Sequence, residues 1–325
     1  MKAQKLVCGV DVSKDTLDLY FNDENGKDHY LQVGNDARGH ASVLERLGTD
    51  RIYVMESTGP YYVRFAFTIH QHGADVRVEN AIVIKRFIQM NLERNKSDKK
   101  DARWLYRYGI ERGGTPWEPP CNESLKCNQI MALIDLYTRQ ATQLSNQLHS
   151  LQQLPVTDKA LVKSIETMRT KLTSEIVKLE TVLNDLLKSW QGEQLKRLSS
   201  IPGLGKRAVS ILIIYTNGFK KIQNHRQLIA LAGLAPREYS SGKSIRCRRG
   251  ICKMGNGHLR NVLYMCSLSA IKYNAACKEL YERLKAKGKR SKVALIAVCN
   301  KLLKQAFAIA TKETIYQSAY KSSLN

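Results

Sequence analysis

The start of the chain alternates between apolar runs and mixed stretches in the way that β-strands do. Residues 5–13 form an almost unbroken apolar run, which is typical of a strand buried on both faces. Residues 16–22 and 29–33 alternate apolar and polar positions, and the turn-forming residues 23–26 lie between them. We therefore expect three strands, of which the second and third are antiparallel.

Beyond residue 36 the pattern predicts helices that alternate with single strands. The expected elements are, in chain order, a helix over 37–48, a strand over 51–56, a helix to about Gln71, a strand over 76–79 and a helix that continues through Asp98 and Asp101. Residues 1–120 should therefore fold as an α/β domain.

A different periodicity begins after the linker Trp117-Glu118-Pro119-Pro120. Residues 121–195 carry leucines and isoleucines at helical spacing on both sides of Pro155, in places alternately three and four residues apart. The pattern predicts a central helical hairpin or coiled coil. Two helices that pack only on their own domain would give the same pattern, because the repeat is short and irregular.

Residues 196–325 have the pattern of a mainly α-helical domain. The segment S-S-I-P-G-L-G-K-R-A-V at 199–209 is typical of a helix-hairpin-helix, whose glycines let the N–H groups at a helix start approach a phosphate. Lys206 and Arg207 would add positive charge there. An ordinary glycine turn between packed helices is the alternative. A last helix is expected over 292–312.

The distribution of charge indicates what the chain binds. It carries 52 basic and 29 acidic residues, a formal net charge of +23. Residues 1–200 hold 28 basic and 25 acidic residues, whereas residues 201–325 hold 24 and 4, a net charge of +20. Such a concentration predicts a polyanion as partner. Nucleic acid is favoured over a membrane, because the basic residues are not gathered in one juxtamembrane or amphipathic block.

The apolar runs and the cysteines predict a cytoplasmic protein without a membrane partner. No run approaches the roughly 18 residues of a membrane span, and the apolar run before Asp11 is too short for a signal-peptide core. We therefore expect the eight cysteines to be reduced thiols. Cys247, Cys252 and His258 come near a zinc pattern, but a fourth ligand is missing and we expect no zinc site.

Four acidic residues stand out by their positions in the predicted elements. Asp11 interrupts the first strand, and Glu56 ends the fourth. Asp98 and Asp101 lie three residues apart at a helix start, so that both carboxylates project from one face. Carboxylate oxygens are the ligands of hard cations such as Mg²⁺. A solvated helix start with Ser97 as N-cap would explain Asp98 and Asp101 equally well.

The order of these elements and acids resembles a known family. The elements resemble the ribonuclease-H-like fold, and the four acids resemble the D-E-D-D quartet of the Holliday-junction resolvase RuvC. The flanking words G-V-D-V-S-K-D, M-E-S-T-G-P-Y and N-K-S-D-K-K-D-A-R are similar to those of the Piv/MooV-type DEDD transposases of bacterial insertion sequences, the one-ten family. Residues 231–249 and 253–260 resemble the C-terminal domain of that family, so the resemblance covers nearly the whole chain.

This resemblance implies a DNA transposase or site-specific recombinase of the bacterial cytoplasm, which cuts and rejoins DNA. The quartet Asp11, Glu56, Asp98 and Asp101 would hold one or two Mg²⁺ ions, and Ser241 would be the nucleophile that holds the cut DNA covalently. A structured guide RNA would pair with donor and target DNA. The central coiled coil would join copies of the chain into a dimer or tetramer.

The residues alone leave the nucleophile open. Ser240, Ser244 and Tyr239 lie equally near the basic residues around Ser241, and a flexible basic loop could simply bind the DNA backbone. A serine hydroxyl needs a base or a metal for activation. This segment offers neither, so we expect a composite site that the quartet completes.

The expected nucleic-acid contacts are basic residues beside the quartet, at the hairpin and around Ser241. They are Lys96, Lys99, Lys100, Arg103, Lys206, Arg207, Arg237, Lys243, Arg246, Arg248, Arg249, Lys253 and Arg260. For the lysines beside the quartet, solubilising charge is the alternative.

Other functions fit the same residues. A metal-dependent, structure-specific nuclease, similar to a Holliday-junction resolvase, would attack with metal-activated water instead of a serine. A DNA invertase is a further alternative. A non-catalytic nucleic-acid-binding protein would leave the quartet as surface acids.

Overall fold

The apolar and polar pattern of the sequence corresponds to a sheet followed by a long series of helices. The structure, a computed structural model, describes residues 6–57, 59–92, 97–220, 222–237, 240–241, 245–246 and 250–318. The chain forms two compact units, the N-terminal unit Met1–Pro119 and the C-terminal unit Pro120–Asn325. The expected mixed α/β part and the mostly helical part are both confirmed.

The N-terminal unit is built on a five-stranded sheet whose strand order is β3-β2-β1-β4-β5. The strands are β1 Leu6–Val12, β2 Thr16–Asn22, β3 Asp28–Gly34, β4 Arg51–Glu56 and β5 Asp75–Glu79. The first three form an antiparallel meander, and β4 and β5 add to β1 in parallel. All five predicted strands are therefore confirmed. The central position of β1 explains its continuous apolar pattern, since a strand covered on both faces has no solvent side.

Four helices cover this sheet: α1 Ala37–Leu47, α2 Tyr61–Gln71, α3 Ala81–Met90 and α4 Asp98–Arg112. The sequence predicted one helix continuing through Asp98, and this was wrong, because α3 ends at Met90 and α4 is a new helix. Ser97 is the N-cap of α4, and its side chain accepts from the backbone N–H of Lys100 at 3.4 Å. The predicted role of Ser97 as N-cap is thus confirmed.

Helix α4 lies directly on the centre of the sheet, and two glycines allow this. A Cβ on Gly9 in β1 would lie 2.2 Å from both the Ala102 carbonyl oxygen and the Tyr106 nitrogen. A Cβ on Gly109 would lie 2.7 Å from the Val54 and Val7 side chains. No larger side chain fits at either position without moving the helix. The sequence G-V-D in β1 therefore fixes how closely α4 approaches Asp11.

The C-terminal unit is helical. Its helices are α5 Asn122–Leu151, α6 Lys159–Ser199, α7 Lys206–Tyr215, α8 His225–Leu231, α9 Gly257–Tyr273, α10 Ala275–Ala286 and α11 Ser291–Lys312. Two small antiparallel pairs lie between α8 and α9, namely β6 Pro236–Arg237 with β9 Gly250–Ile251, and β7 Ser240–Ser241 with β8 Ile245–Arg246. Helices α5 and α6 form the predicted helical hairpin around Pro155.

The base of this hairpin belongs to the same hydrophobic core as the later helices. Cys127 and Met131 of α5 and Leu187 of α6 are buried in one cluster with residues of α7, α9 and α11. Residues 195 and 196 both lie within α6. The division of the chain into domains at 1–120, 121–195 and 196–325 stays a prediction.

Among the residues that the structure describes, α11 is one helix whose length and apolar composition would allow it to cross a membrane. Its apolar side chains Val298, Leu302 and Ala306 are fully buried against other helices of the same unit. An apolar helix inside a core needs no lipid to cover it. We therefore interpret α11 as a core helix.

Candidate active site and nucleic-acid interface

The first two acids of the predicted quartet lie at the ends of neighbouring parallel strands. The register pairs Val10 of β1 with Met55 of β4, so Asp11 and Glu56 follow one residue later on each strand. Residues at equivalent positions on adjacent parallel strands point to the same face of the sheet. The two carboxylates are therefore neighbours at the C-terminal ends of β1 and β4.

The other two acids lie in the first turn of α4. Asp98 is its first residue, and Asp101 donates its backbone N–H to the Ser97 carbonyl oxygen at 2.9 Å. Acids are favoured in a first turn, where the free N–H groups and the helix dipole stabilise negative charge. The close packing of α4 on Gly9 brings this turn towards Asp11.

The other three acids of the quartet all act electrostatically on Asp11. Burial is the largest cause, and together with the charges of Asp101, Glu56 and Asp98, in that order, it raises the pKa of the Asp11 carboxyl to about 7. Such a set of oxygen ligands with concentrated negative charge fits a hard divalent cation. Within the described ranges, no three His, Cys, Asp or Glu side chains are close enough together to form a ready-made metal centre.

Asp18 is a fifth acid beside the quartet that the sequence reasoning missed. It pairs directly with Asp11 across β1 and β2, and only 1% of its surface is exposed. The Gln32 side-chain amide donates to it at 2.9 Å, and so does the Tyr30 hydroxyl. Its charge is a further cause of the raised pKa of Asp11. The available signal was its position in the second predicted strand, shortly after Asp11 in the sequence.

Two predicted nucleic-acid contacts on α4 are stacked on tyrosines. The Lys99 ammonium lies 5.1 Å from the centre of the Tyr30 ring, and the Arg103 guanidinium lies 5.7 Å from that of Tyr20. Both are exposed, so their charge is available to a ligand while the rings hold their position. Lys100 is half-buried. Lys96 lies outside the described residues.

The segment that carries Ser241 is described only in part. Ser241 is the second residue of β7, and Arg237 ends β6 with an exposed side chain. The side chains of Ser241 and Arg246 are outside what the structure describes, and so are residues Lys243, Arg248 and Arg249.

The predicted helix-hairpin-helix is an interhelical turn whose first glycine serves packing. Gly203 has φ +97°, and a Cβ there would lie 2.6 Å from the Ala270 side chain of α9. Gly205, by contrast, has open space around it and is the N-cap of α7. The glycine-turn alternative therefore accounts for Gly203, whereas no packing contact requires a glycine at Gly205.

The two basic residues of this turn differ in their surroundings. Lys206 is exposed, whereas Arg207 donates to Asp135 at 3.0 Å. The His258 Nδ1 lies 2.9 Å from the other oxygen of the same carboxyl group. Asp135 thus offsets the charge of Arg207, whose side chain is still 39% exposed, and also lies beside His258.

The zinc alternative gains no support from the described residues. His258 faces Asp135, and Cys252 is a free thiol whose Sγ lies 3.7 Å from the Met254 carbonyl oxygen. Cys247 lies outside the described residues. The other described cysteines are free thiols as well.

Comparison with known families agrees with this arrangement of acids and helices. The DEDD transposase model of the IS110 group matches residues 8–156, which include the whole quartet. The model described as "Transposase IS116/IS110/IS902 family" matches residues 195–282, which include Ser241. The chain belongs to the IS110 family of DEDD transposases. It is an enzyme that acts on DNA.

Relatives of this family member extend over its whole length. The pilin gene-inverting protein of Moraxella lacunata is 26% identical and covers 94% of this chain and 95% of its own. The transposase for insertion sequence element IS1328 of Yersinia enterocolitica is 22% identical over 95% of this chain and 97% of its own. The transposase for IS1111A of Coxiella burnetii is 24% identical over 96% and 91%. Both units are therefore shared with these relatives.

Proposed function

We propose that this IS110-family transposase cuts and rejoins DNA with a ribonuclease-H-like metal site and a serine nucleophile. The observation that supports the proposal is the electrostatic coupling of Asp11 to Glu56, Asp98 and Asp101, whose charges add to burial in raising the pKa of Asp11.

These four side chains would hold one or two Mg²⁺ ions. Bound there, the metal would supply charge stabilisation for the attacking and leaving oxygens of an in-line displacement at phosphorus. The stacked cations Lys99 and Arg103 flank the acids and would hold the DNA backbone, since they offset the repulsion between the quartet and a polyanion.

Ser241 is the proposed nucleophile. Its Oγ would form a bond to the phosphorus of one DNA strand, one P–O bond of the strand would break, and the proton of the hydroxyl would end on the leaving oxygen. The reverse exchange with another strand end would rejoin the DNA. Ser241 lies in the range matched by the second family model, and Arg237 in the same segment provides exposed positive charge.

The charge of the C-terminal unit supports a nucleic-acid partner, and the family resemblance implies the guide RNA. Residues 120–325 carry 34 basic and 12 acidic residues, a charge that fits DNA and RNA alike. We propose that such an RNA selects donor and target DNA, that the α5–α6 hairpin joins copies of the chain into a dimer or tetramer, and that the protein works in the bacterial cytoplasm. Sequencing of co-purified RNA and the mass of the assembly test these two partners.

The test of the metal site is the Asp101→Asn variant, which keeps the shape of the side chain and removes its charge. We expect DNA cleavage in Mg²⁺ to be lost while DNA binding stays within about twofold of wild type, because binding depends mainly on basic residues elsewhere. Asp50→Asn, an exposed acid of the same unit, is the control and should cleave normally. Normal cleavage by Asp101→Asn would refute the quartet.

Site-specific inversion is a second candidate, favoured by the pilin gene-inverting relatives, which align with almost the whole chain. Inversion and transposition both require cutting and rejoining. A plasmid with two sites in inverted orientation distinguishes them, since an invertase reverses the intervening DNA without releasing an element.

A further inference from the structure

We propose that Arg260 is a positioning residue that closes the base of the Ser241 segment, and that it does not contact a DNA phosphate. The sequence analysis predicted that Arg260 contacts nucleic acid, because it lies in a strongly basic part of the chain. The inference rests on the proposed role of Ser241 as the nucleophile.

Two backbone stretches, 231–235 and 252–256, form the base from which the Ser241 segment extends. We call them the stem. Three backbone hydrogen bonds join the stretches: Cys252 N–H donates to Ala235 at 2.9 Å, Lys253 N–H to Gly233 at 3.1 Å and Asn256 N–H to Leu231 at 2.7 Å. The pairing of β6 with β9 continues them outward. The stem therefore sets where residues 236–251 leave the helical core.

Glycines bring the two stretches of the stem unusually close. Gly233 has φ +66° and Gly255 has φ +143°, conformations that other residues rarely adopt. A Cβ on Gly255 would lie 2.5 Å from the Leu231 carbonyl oxygen. A Cβ on Gly233 would lie 2.5 Å from Nη1 of Arg260. The stem is thus shaped to admit one guanidinium group against its backbone.

Arg260 uses this space to bridge the two stretches. Its Nη1 donates to the Ala232 carbonyl oxygen at 3.0 Å and to that of Lys253 at 3.5 Å, one on each side of the stem. Its helix, α9, is held in place by the Asn256 side chain, which accepts from the N–H of Leu259 at 2.9 Å. Both hydrogen bonds come from the same Nη1 group, so a single NH2 group of the guanidinium joins the two stretches.

The position of Arg260 differs from that of a phosphate contact. Its Nη1 donates to two backbone carbonyl groups and its side chain is half-buried, whereas Lys206 in the same unit is exposed to solvent. Nucleophilic attack depends on the placement of the hydroxyl, and a displacement of about 1 Å costs roughly 10²-fold in rate. Loosening the stem should therefore slow the reaction of Ser241 without changing how strongly the chain holds DNA.

The experiment compares Arg260→Gln, Arg260→Lys and the control Lys206→Gln in the full-length protein. Three quantities are measured: hydrogen exchange of the Cys252, Lys253 and Asn256 amides, the rate of covalent adduct formation at saturating DNA, and the salt dependence of DNA affinity. For Arg260→Gln we expect at least tenfold faster stem exchange, an adduct rate lower by about 10²-fold and an unchanged salt slope. Arg260→Lys should recover part of the rate, and Lys206→Gln should leave stem exchange unchanged.

Unchanged stem exchange together with a salt slope smaller by about 0.9 would make Arg260 a phosphate contact and overturn the proposal. If circular dichroism shows that Arg260→Gln is unfolded, the stem exchange and the salt slope of Arg260→Lys decide instead. A persistent adduct in Ser241→Ala would refute the proposed nucleophile, but stem exchange would still decide the role of Arg260.

Discussion

Replacing Asp11 by asparagine should make the metal-free protein more stable while it removes activity. Asp11 lies partly buried among three other acids, and its folded pKa of about 7 is well above the value of 3.8 for an unperturbed aspartate. Above that folded pKa the native protein holds a carboxylate in an unfavourable place. Asparagine has nearly the same shape and carries no charge.

The sign and size of the effect follow from proton linkage. Between pH 3.8 and about 7 the unfolded chain has lost the Asp11 proton and the folded chain keeps it, so stability falls as pH rises through this window. Each unit of pKa difference corresponds to about 1.4 kcal/mol, which gives an upper limit of about 4 kcal/mol above pH 7. Of this, about 2.6 kcal/mol should accumulate between pH 5 and pH 8.

The assay is thermal unfolding of wild type, Asp11→Asn and the control Asp50→Asn in chelator at pH 5 and pH 8. We expect the stability advantage of Asp11→Asn to be larger at pH 8 by about 2 kcal/mol, and Asp50→Asn to show no such advantage. Mg²⁺ should stabilise wild type and not Asp11→Asn. An Asp11→Asn protein that is no more stable than wild type at pH 8 would refute the charge cluster.

Three further outcomes follow from the fold and the charge distribution. Gly9→Ala should destabilise the protein by about 3 kcal/mol and abolish cleavage, because the new methyl group meets the backbone of α4. The control Gly192→Ala, with open space around it, should be neutral or stabilising in a thermal melt. A Gly9→Ala protein as stable as wild type would contradict the close approach of α4. Asp18→Asn should raise the Mg²⁺ concentration needed for half-maximal thermal stabilisation by about tenfold, since it removes a buried charge next to the quartet. An unchanged dependence on Mg²⁺ would make Asp18 purely structural. The fragment 120–325, with a net charge of +22, should bind DNA with a steep salt dependence and the fragment 1–119, at +1, only weakly; equal affinities in a filter-binding titration would contradict the role of the basic unit.

Local patterns were enough to predict the strands and most helices of the N-terminal unit. Period-two alternation in β2 and β3 and the apolar run of β1 are properties of neighbouring residues, and turn residues mark their ends. The end of α3 at Met90 was not predicted, because no glycine or proline marks it in the sequence. The N-cap of α4, Ser97, was nevertheless recognisable from sequence.

Contacts between distant residues were beyond such patterns. Asp18 alternates with apolar neighbours like a solvent-facing residue, and only the packing of Tyr30 and Gln32 from β3 shows that it is buried. The partner of Arg207 is Asp135, 72 residues away, so no spacing rule could show that its charge is offset. A glycine-rich turn likewise looks the same whether it receives a phosphate or a neighbouring helix.

The covalent adduct tests the central claim most directly. Wild type, Ser241→Ala and the adjacent control Ser240→Ala are incubated with end-labelled DNA and Mg²⁺, denatured, and the protein-linked DNA is measured and mapped by mass spectrometry. We predict an adduct on Ser241 in wild type, an adduct retained in Ser240→Ala and none in Ser241→Ala, whose DNA binding persists. An undiminished adduct in Ser241→Ala, or hydrolysed ends without any adduct in wild type, would contradict serine-mediated recombination.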